Sequence, residues 1–145
     1  MKMSTRGDYA ARALLSLALH GLDRPTSVKE IAERTALPQP YLEQILLAAK
    51  GAGLVSSKRG VGGGYVLARP PHEITLAQIV SAVEGPLETP LGEHDHCEGH
   101  CVLQEVWVGV SDEMRRLLEG YTLADLVHRT RVGHRVVGAS DAATA

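Results

Sequence analysis

Apolar positions recur every three to four residues through most of this chain, a period that predicts a mainly α-helical protein. The first such stretch starts at Ser4 or Thr5 and runs to about Leu22. Gly21 and Pro25 end it, because both residues disfavour a continuing helix. A single helix is therefore predicted before residue 25.

Two shorter helical patterns follow, separated by a tight turn. Ser27 and Glu30 have the spacing of a capping box, which starts a helix that stops at Thr35. Pro38 and Pro40 then favour the first turn of a second helix. The apolar positions of this second helix are Leu42, Ile45, Leu46 and Ala49. Two helices with this spacing predict a helix-turn-helix, whose second helix can enter a major groove.

A basic, glycine-rich hairpin comes next. Residues 54–57 and 65–68 are predicted strands, and the segment between them carries Lys58, Arg59 and four glycines. Glycine permits close backbone approach, while the two cations suit phosphates or a minor groove. A nucleotide-binding loop is the competing interpretation, but no Walker lysine follows and the segment joins two strands. The segment is therefore predicted to be the wing of a winged helix-turn-helix.

The second half of the chain contains one long helical pattern. It runs from Cys101 to about Gly120, after a shorter helix capped by Thr75 and before one that begins at Thr122. The long helix is either a buried core helix or a dimerisation helix. Dimerisation is favoured, because a dimer presents two reading helices about one DNA turn apart. The predicted divisions are a DNA-binding domain at 1–85, a sensor loop at 86–101, a dimerisation region at 102–130 and a disordered tail at 131–145.

Charge is distributed unevenly along the 145 residues. Residues 1–68 hold nine Lys or Arg and five Asp or Glu, a net +4, whereas the remaining residues carry a net −6. This asymmetry is typical of a nucleic-acid-facing half joined to a separate half. No run of about 18 apolar residues occurs, and the polar N-terminus is unlike a signal peptide, so a cytoplasmic protein without a membrane span is expected.

Residues 92–101 contain an unusual density of metal-binding side chains. Thiolate and imidazole at short spacing suit zinc, an iron–sulfur cluster or another borderline-soft ion. A thiol pair without metal, or a solvated loop with incidental histidines, is the alternative. Cys101 precedes the long helix, whose macrodipole would favour its thiolate. The candidate ligands here are His94, His96, Cys97, His100 and Cys101.

Together these segments resemble the Rrf-two family of bacterial winged-helix regulators. The resemblance lies in MKMSTRGDYAARALLSLA, IAERTALPQPYLEQIL, RGVGGGYVLARPP, ITLAQIVSAVEGP, the interval from Cys101 to Trp107, and YTLADL. It covers roughly residues 1–128. It implies a homodimeric, DNA-binding transcriptional regulator, acting as a repressor on a palindromic operator. In many members it also implies a [2Fe–2S] or [4Fe–4S] cluster before the dimer helix, which would sense redox state, nitric oxide or iron–sulfur supply.

The sequence departs from the cluster-bearing pattern at two places. Members that hold a cluster usually have three cysteines in this loop, but here the first expected position falls within residues 88–90, which contain none. A histidine sometimes found after the last cysteine is replaced by Gln104. In some members a carboxylate early in the first helix of the other subunit is a ligand, and Asp8 stands at that position. Its ordinary role would be a helix N-terminal acid.

DNA contacts are expected from the first turns of the second helix and from the wing. Glutamine pairs with adenine and glutamate accepts from cytosine, whereas tyrosine is better suited to phosphate. One rival function is a cluster-free winged-helix regulator that is controlled by thiol oxidation, a zinc site, a small molecule or a partner protein. Another is a winged-helix module that binds only protein. The sequence has no nucleophile–base constellation, so an enzyme is not expected. The predicted DNA-contacting residues are Gln39, Tyr41, Glu43, Gln44, Lys58 and Arg59.

Overall fold

The structure is a computed structural model that describes residues 4–87 and 98–133. Within those ranges it contains six α-helices and one antiparallel two-stranded sheet. The helices are α1 (Thr5–His20), α2 (Val28–Thr35), α3 (Gln39–Gly51), α4 (Leu76–Glu84), α5 (His100–Glu119) and α6 (Leu123–Arg131), and the strands are β1 (Val55–Lys58) and β2 (Gly64–Leu67). None of these helices is long and apolar enough to cross a membrane.

Helix α1 is the centre of the core. Its buried side chains Leu14 and Leu17 lie among those of α2, α3, α4 and α6. The largest of the fully buried side chains are aliphatic, and each stabilises the fold by about 1.5–3 kcal/mol when it leaves water. These positions repeat at the helical period in the sequence, which is why the pattern alone identified the helices.

Serine and threonine hydroxyls begin four of the helices. Ser4, Ser27, Thr75 and Thr122 each accept a hydrogen bond from a backbone N–H in the first turn. Complete capping boxes form at Thr75 and Thr122, where the side chain of the third helical residue also accepts a hydrogen bond from the backbone N–H of the capping threonine. Such caps contribute about 1 kcal/mol each.

The capping box predicted at Ser27 is only half formed. The Glu30 N–H donates to the Ser27 hydroxyl at 3.1 Å. The Glu30 carboxylate instead lies beside two guanidinium groups, 3.2 Å from Arg24 and 3.6 Å from Arg34. Two cations compete successfully with one neutral backbone N–H for the carboxylate, because charge-assisted contacts are the stronger ones.

Helix α6 packs against the N-terminal half of the chain. The Leu123 N–H donates to the Ile74 carbonyl at 2.9 Å, and the Leu76 N–H donates to the Tyr121 carbonyl at 2.9 Å. Leu123 is fully buried in the same core as α1. The chain therefore leaves this core after α4 and comes back to it after α5.

The predicted fold class, mainly α with a winged helix-turn-helix and a long C-terminal helix, is confirmed. Both strands are displaced by one residue from the predicted ranges: β1 begins at Val55 and β2 begins at Gly64. Leu54 lies before β1 and is buried in the core, so its hydrophobicity reflects packing and not strand pairing.

Candidate nucleic-acid interface and sensor segment

The turn between α2 and α3 is set by two adjacent features. Ala36 adopts the left-handed conformation, with φ 57° and ψ 33°, which ends α2. The buried side chain of Leu37 anchors the turn, and α3 then starts after Pro38 without a side-chain cap. The first turn of α3 offers two backbone N–H groups, those of Gln39 and Tyr41, to an external acceptor such as a phosphate.

Helix α3 has one buried face and one exposed face. The buried face holds the four apolar positions that the sequence predicted. Three of the predicted base-reading residues, Gln39, Glu43 and Gln44, are exposed on the opposite face. Leu47 and Lys50 continue that face toward the end of the helix and are exposed as well.

Tyr41 has a different environment from the other predicted contacts. It is half-buried, and its ring meets that of Tyr9 edge to face with the centroids 5.5 Å apart. Such a pair contributes about 0.5–1.5 kcal/mol beyond the area that it buries. Tyr41 therefore joins α3 to α1, whatever else its hydroxyl contacts.

The wing is a short hairpin with an exposed, basic tip. In its register Lys58 pairs with Gly64 and Val55 with Leu67. Lys58 and Arg59, the predicted DNA contacts of the wing, are exposed, and Val61 at the tip is fully exposed.

Two contacts hold the wing beside the helix pair. Thr26 and Tyr65 exchange backbone hydrogen bonds of 2.9 and 2.8 Å, which joins β2 to the segment before α2. Gly64 makes this approach possible, since a Cβ there would lie 2.3 Å from the Thr26 carbonyl oxygen. From the other side, Lys50 Nζ donates to the Ser57 hydroxyl at 2.7 Å.

Lys50 is a candidate that the sequence reasoning missed. It lies seven residues, or two helical turns, after Glu43 and therefore on the same face of α3. That spacing was visible in the sequence, but its link to β1 needed the fold. The exposed face of α3 and the wing thus form one continuous surface with a cation between them.

Of the predicted sensor loop at residues 86–101, the structure describes residues 86–87 and 98–101. Cys101 is the second residue of α5, is exposed, and is disulfide-bonded. Gly99, in the left-handed conformation, precedes α5 and offers no side-chain cap. Cys97, His94 and His96 lie outside the described residues, and so does the side chain of His100. Among the described side chains no group of three metal-binding residues occurs.

Comparison with known proteins gives this architecture a family. Residues 3–129 match the Rrf2 family, described as iron-dependent transcriptional regulators. This chain belongs to the Rrf2 family. It is 35% identical to IscR of Aliivibrio salmonicida, over 88% of this chain and 77% of that protein. The resemblance seen in the sequence is therefore confirmed.

Two solved structures have a fold similar to that of this chain. T. potens IscR superposes with a TM-score of 0.77 at 36% identity, covering 97% of this chain and 96% of that one. CymR, the global cysteine regulator of B. subtilis, gives a TM-score of 0.74 at 37% identity, covering 88% and 97%. These relatives are named as transcriptional regulators, which agrees with the expectation that the Rrf2 chain described here is not an enzyme.

Asp8 of this Rrf2 protein is engaged within its own helix. Its carboxylate lies 2.9 Å from the Arg12 guanidinium, four residues later, and about half of each side chain is exposed. This is the ordinary arrangement for an acid in the first turn of a helix. The exposed carboxylate remains accessible to another subunit, so the predicted ligand role of Asp8 stays a prediction.

Proposed function

We propose that this Rrf2 protein is a cytoplasmic, homodimeric repressor that binds a palindromic DNA operator through α3 and the wing. The observation that carries the proposal is the continuity of that surface, in which Lys50 bridges the exposed face of α3 to Ser57 of β1. A major groove would accept α3, and the wing would then lie over the adjacent phosphates and minor groove.

Base reading is assigned to the first turns of α3. Gln39 and Gln44 can each pair with adenine, and Glu43 can accept from the cytosine N4 amino group. A carboxylate that lies near phosphates without such a donor would weaken DNA binding through electrostatic repulsion. Lys58 and Arg59 carry the charge that contacts phosphate, and Tyr41 can add its hydroxyl.

The dimer is assigned to the apolar face of α5. Eight apolar residues of this helix fall within about 160° of arc at 100° per residue. Five of them are 51–64% exposed in the single chain, which leaves a continuous hydrophobic strip. A second copy of α5 would cover this strip and space two α3 helices for a palindrome. The eight residues are Val102, Leu103, Val106, Trp107, Val110, Met114, Leu117 and Leu118.

Selection of bound duplexes from a random DNA library tests the reading surface. The wild type should select a palindrome, and Glu43→Ala should relax the preference at one position in each half-site. The matched control is Glu73→Ala, which removes an exposed acid from the 3-10 turn at Pro71–Glu73. A Glu43→Ala profile identical to that of the wild type would contradict the assignment.

The dependence of binding on salt tests the wing. Arg59→Ala should lower affinity and flatten the slope of log K against log salt by about one unit for each lost phosphate contact. Arg131→Ala is the control, because it removes an exposed cation at the end of α6. Equal slopes for Arg59→Ala and the wild type would place the wing away from DNA.

For sensing, we propose an iron–sulfur cluster, either [2Fe–2S] or [4Fe–4S], held by Cys97 and Cys101. Cys101 suits a thiolate ligand because the uncapped first turn of α5 presents backbone N–H groups and the positive end of its dipole. The remaining ligands would come from His94, His96 or His100, or from Asp8 of the partner subunit. Mixed Cys/His ligation is chemically established for [2Fe–2S] centres.

A cluster at this position would communicate with the DNA through α5. The cluster would supply a redox-sensitive group that oxidation or nitric oxide could change or remove. Cys101 ties the sensor segment to the start of α5, and the bridge between Thr75 and Thr122 ties the end of α5 to the DNA-binding half. Loss of the cluster would then alter the relative free energy of two dimer geometries, and a typical size for such coupling is about 1–3 kcal/mol.

The disulfide bond of Cys101 favours a second candidate, a thiol switch without a cluster. In that case Cys97 and Cys101 would respond to oxidants directly. A zinc site is the third chemistry that their spacing permits. An ultraviolet–visible spectrum with iron, sulfide and zinc analysis of anaerobically purified protein distinguishes the three.

Cysteine variants complete this test. With a cluster, Cys97→Ala and Cys101→Ala should be colourless and altered in operator affinity, whereas Asp8→Ala should retain colour that fades faster. Colourless wild-type protein without iron would exclude the cluster and leave the thiol switch or zinc. Normal regulation by both cysteine variants would exclude all three.

A further inference from the structure

Leu47 is out of place in the binary pattern of α3. All residues of this helix are described, and the other leucines and isoleucine in it are at most 1% exposed. Leu47 is 61% exposed and lies outside the core. Folding of this domain therefore gains little from a leucine at this position.

The location of Leu47 relates it to the polar residues on the same face. It follows Glu43 by four residues and Gln44 by three, so all three side chains are neighbours on one face. Helical side chains lean toward the N-terminus, which places the Leu47 methyl groups over the turn that holds Glu43 and Gln44. Lys50, three residues later, closes this face at the wing.

We infer that Leu47 is a specificity-determining residue that contacts the C5 methyl group of a thymine in the major groove. This inference rests on the proposed DNA-binding function and deepens it. Thymine presents the only methyl group among the base edges of the major groove, and apolar side chains are its natural partners. A leucine amid glutamate and glutamine would therefore add an apolar reader to two hydrogen-bonding ones.

The position of that thymine in the half-site follows from helix geometry. One turn of α3 advances about 5.4 Å, whereas one base pair advances about 3.4 Å. The methyl-sensitive thymine should thus lie within about two base pairs of the position that Glu43 reads. The two positions are identified by separate experiments, so their distance is an independent check.

A uracil scan of the selected operator isolates the methyl group. Deoxyuridine keeps every hydrogen-bonding group of thymidine and lacks only the C5 methyl. Replacing the relevant thymine should weaken wild-type binding by about fourfold per half-site, the value for one buried methyl-sized group. Every other thymine on that groove face should give a smaller change.

The scan is repeated with Leu47→Ala and with Leu22→Ala. Leu22, between α1 and α2, is 60% exposed and therefore matches Leu47 in exposure, so both variants should fold. Leu47→Ala should bind the thymine and uracil operators equally. Leu22→Ala should retain the wild-type fourfold difference.

The outcomes separate this inference from the proposed function. Selective binding without a methyl-sensitive thymine, or an unchanged uracil effect in Leu47→Ala, would overturn the role of Leu47 and leave the repressor proposal standing. A methyl-sensitive thymine more than about two base pairs from the Glu43 position would also overturn it. Absence of any sequence-selective duplex binding would overturn both.

Discussion

Helices α1 and α5 are both amphipathic, but only α1 covers its apolar face within one chain. Leu14 and Leu17 of α1 are fully buried. By contrast, none of the described side chains of α5, at positions 101–119, is buried. Helix α1 lies against four other helices, whereas α5 lies against α4.

This difference means that the core around α1 is complete within one chain, whereas the apolar face of α5 is not covered by that chain. The N-terminal half, together with α6, already has a continuous aliphatic core. The α5 strip leaves large apolar side chains in water, an arrangement that marks an interaction site. We therefore expect the stability of α5 to depend on a partner subunit. The stability of the N-terminal half should not depend on one.

The largest expected effect on stability comes from truncating a buried side chain of the core. Leu42 is fully buried and Leu117 is 64% exposed, so their alanine variants form a matched pair. Leu42→Ala should lower the free energy of unfolding by about 2–5 kcal/mol at every protein concentration. Leu117→Ala should lower only the part of the free energy of unfolding that depends on protein concentration. Urea denaturation at several concentrations measures both, and equal losses in dilute protein would show that α5 packs within its own chain.

A smaller effect is expected where the wing meets the helix pair. Gly64 has φ 153°, and a Cβ there would collide with the Thr26 carbonyl. Gly64→Ala should cost about 1–3 kcal/mol and weaken DNA binding, because the wing must shift. Gly51→Ala is the control, since nothing lies within 4 Å of its Cβ position. Thermal denaturation and operator titration are the measurements, and full affinity in Gly64→Ala would contradict this account of the wing.

Charge on the α5 strip should dissociate the proposed dimer. Val106→Asp places an unpaired carboxylate in the interface and should raise the dimer dissociation constant at least about tenfold, or 1.4 kcal/mol. Val132→Asp puts the same charge on a 66% exposed residue beyond α6 and should leave the constant unchanged. Sedimentation velocity measures the constants. A Val106→Asp protein that still dimerises like Val132→Asp would move the interface elsewhere.

The smallest expected effect on stability comes from the capping box that begins α6. Hydrogen bonds from the Thr122 backbone N–H and hydroxyl lower the pKa of Asp125 below its ordinary 3.8. A lowered pKa stabilises the fold above the ordinary value, and this contribution is lost as the pH falls through the lowered one. The stability difference between wild type and Asp125→Asn should therefore be largest near pH 6 and shrink below about pH 4. A difference that stays constant with pH would contradict this role.

Much of the fold was readable from periodicity, because helices that bury one face must repeat apolar residues every three to four positions. The same reasoning placed Gln39, Glu43 and Gln44 on the exposed face of α3. The partner of the Glu30 carboxylate was not readable, since Arg24 reaches it through a loop geometry that no local pattern encodes. Lys50 was overlooked for a similar reason: its link to Ser57 depends on where β1 runs.

Residue pattern was enough to predict the helices, their apolar faces and the basic hairpin that follows the helix pair. Periodicity alone does not say what covers an apolar face, and dimerisation through α5 was favoured because of the way a dimer presents two reading helices to DNA. The fold shows that the apolar face of α1 is covered by four helices of the same chain, whereas that of α5 is left largely exposed. The physical reason is that periodicity records the side on which a helix avoids water, whereas the arrangement of the other elements determines what covers that side.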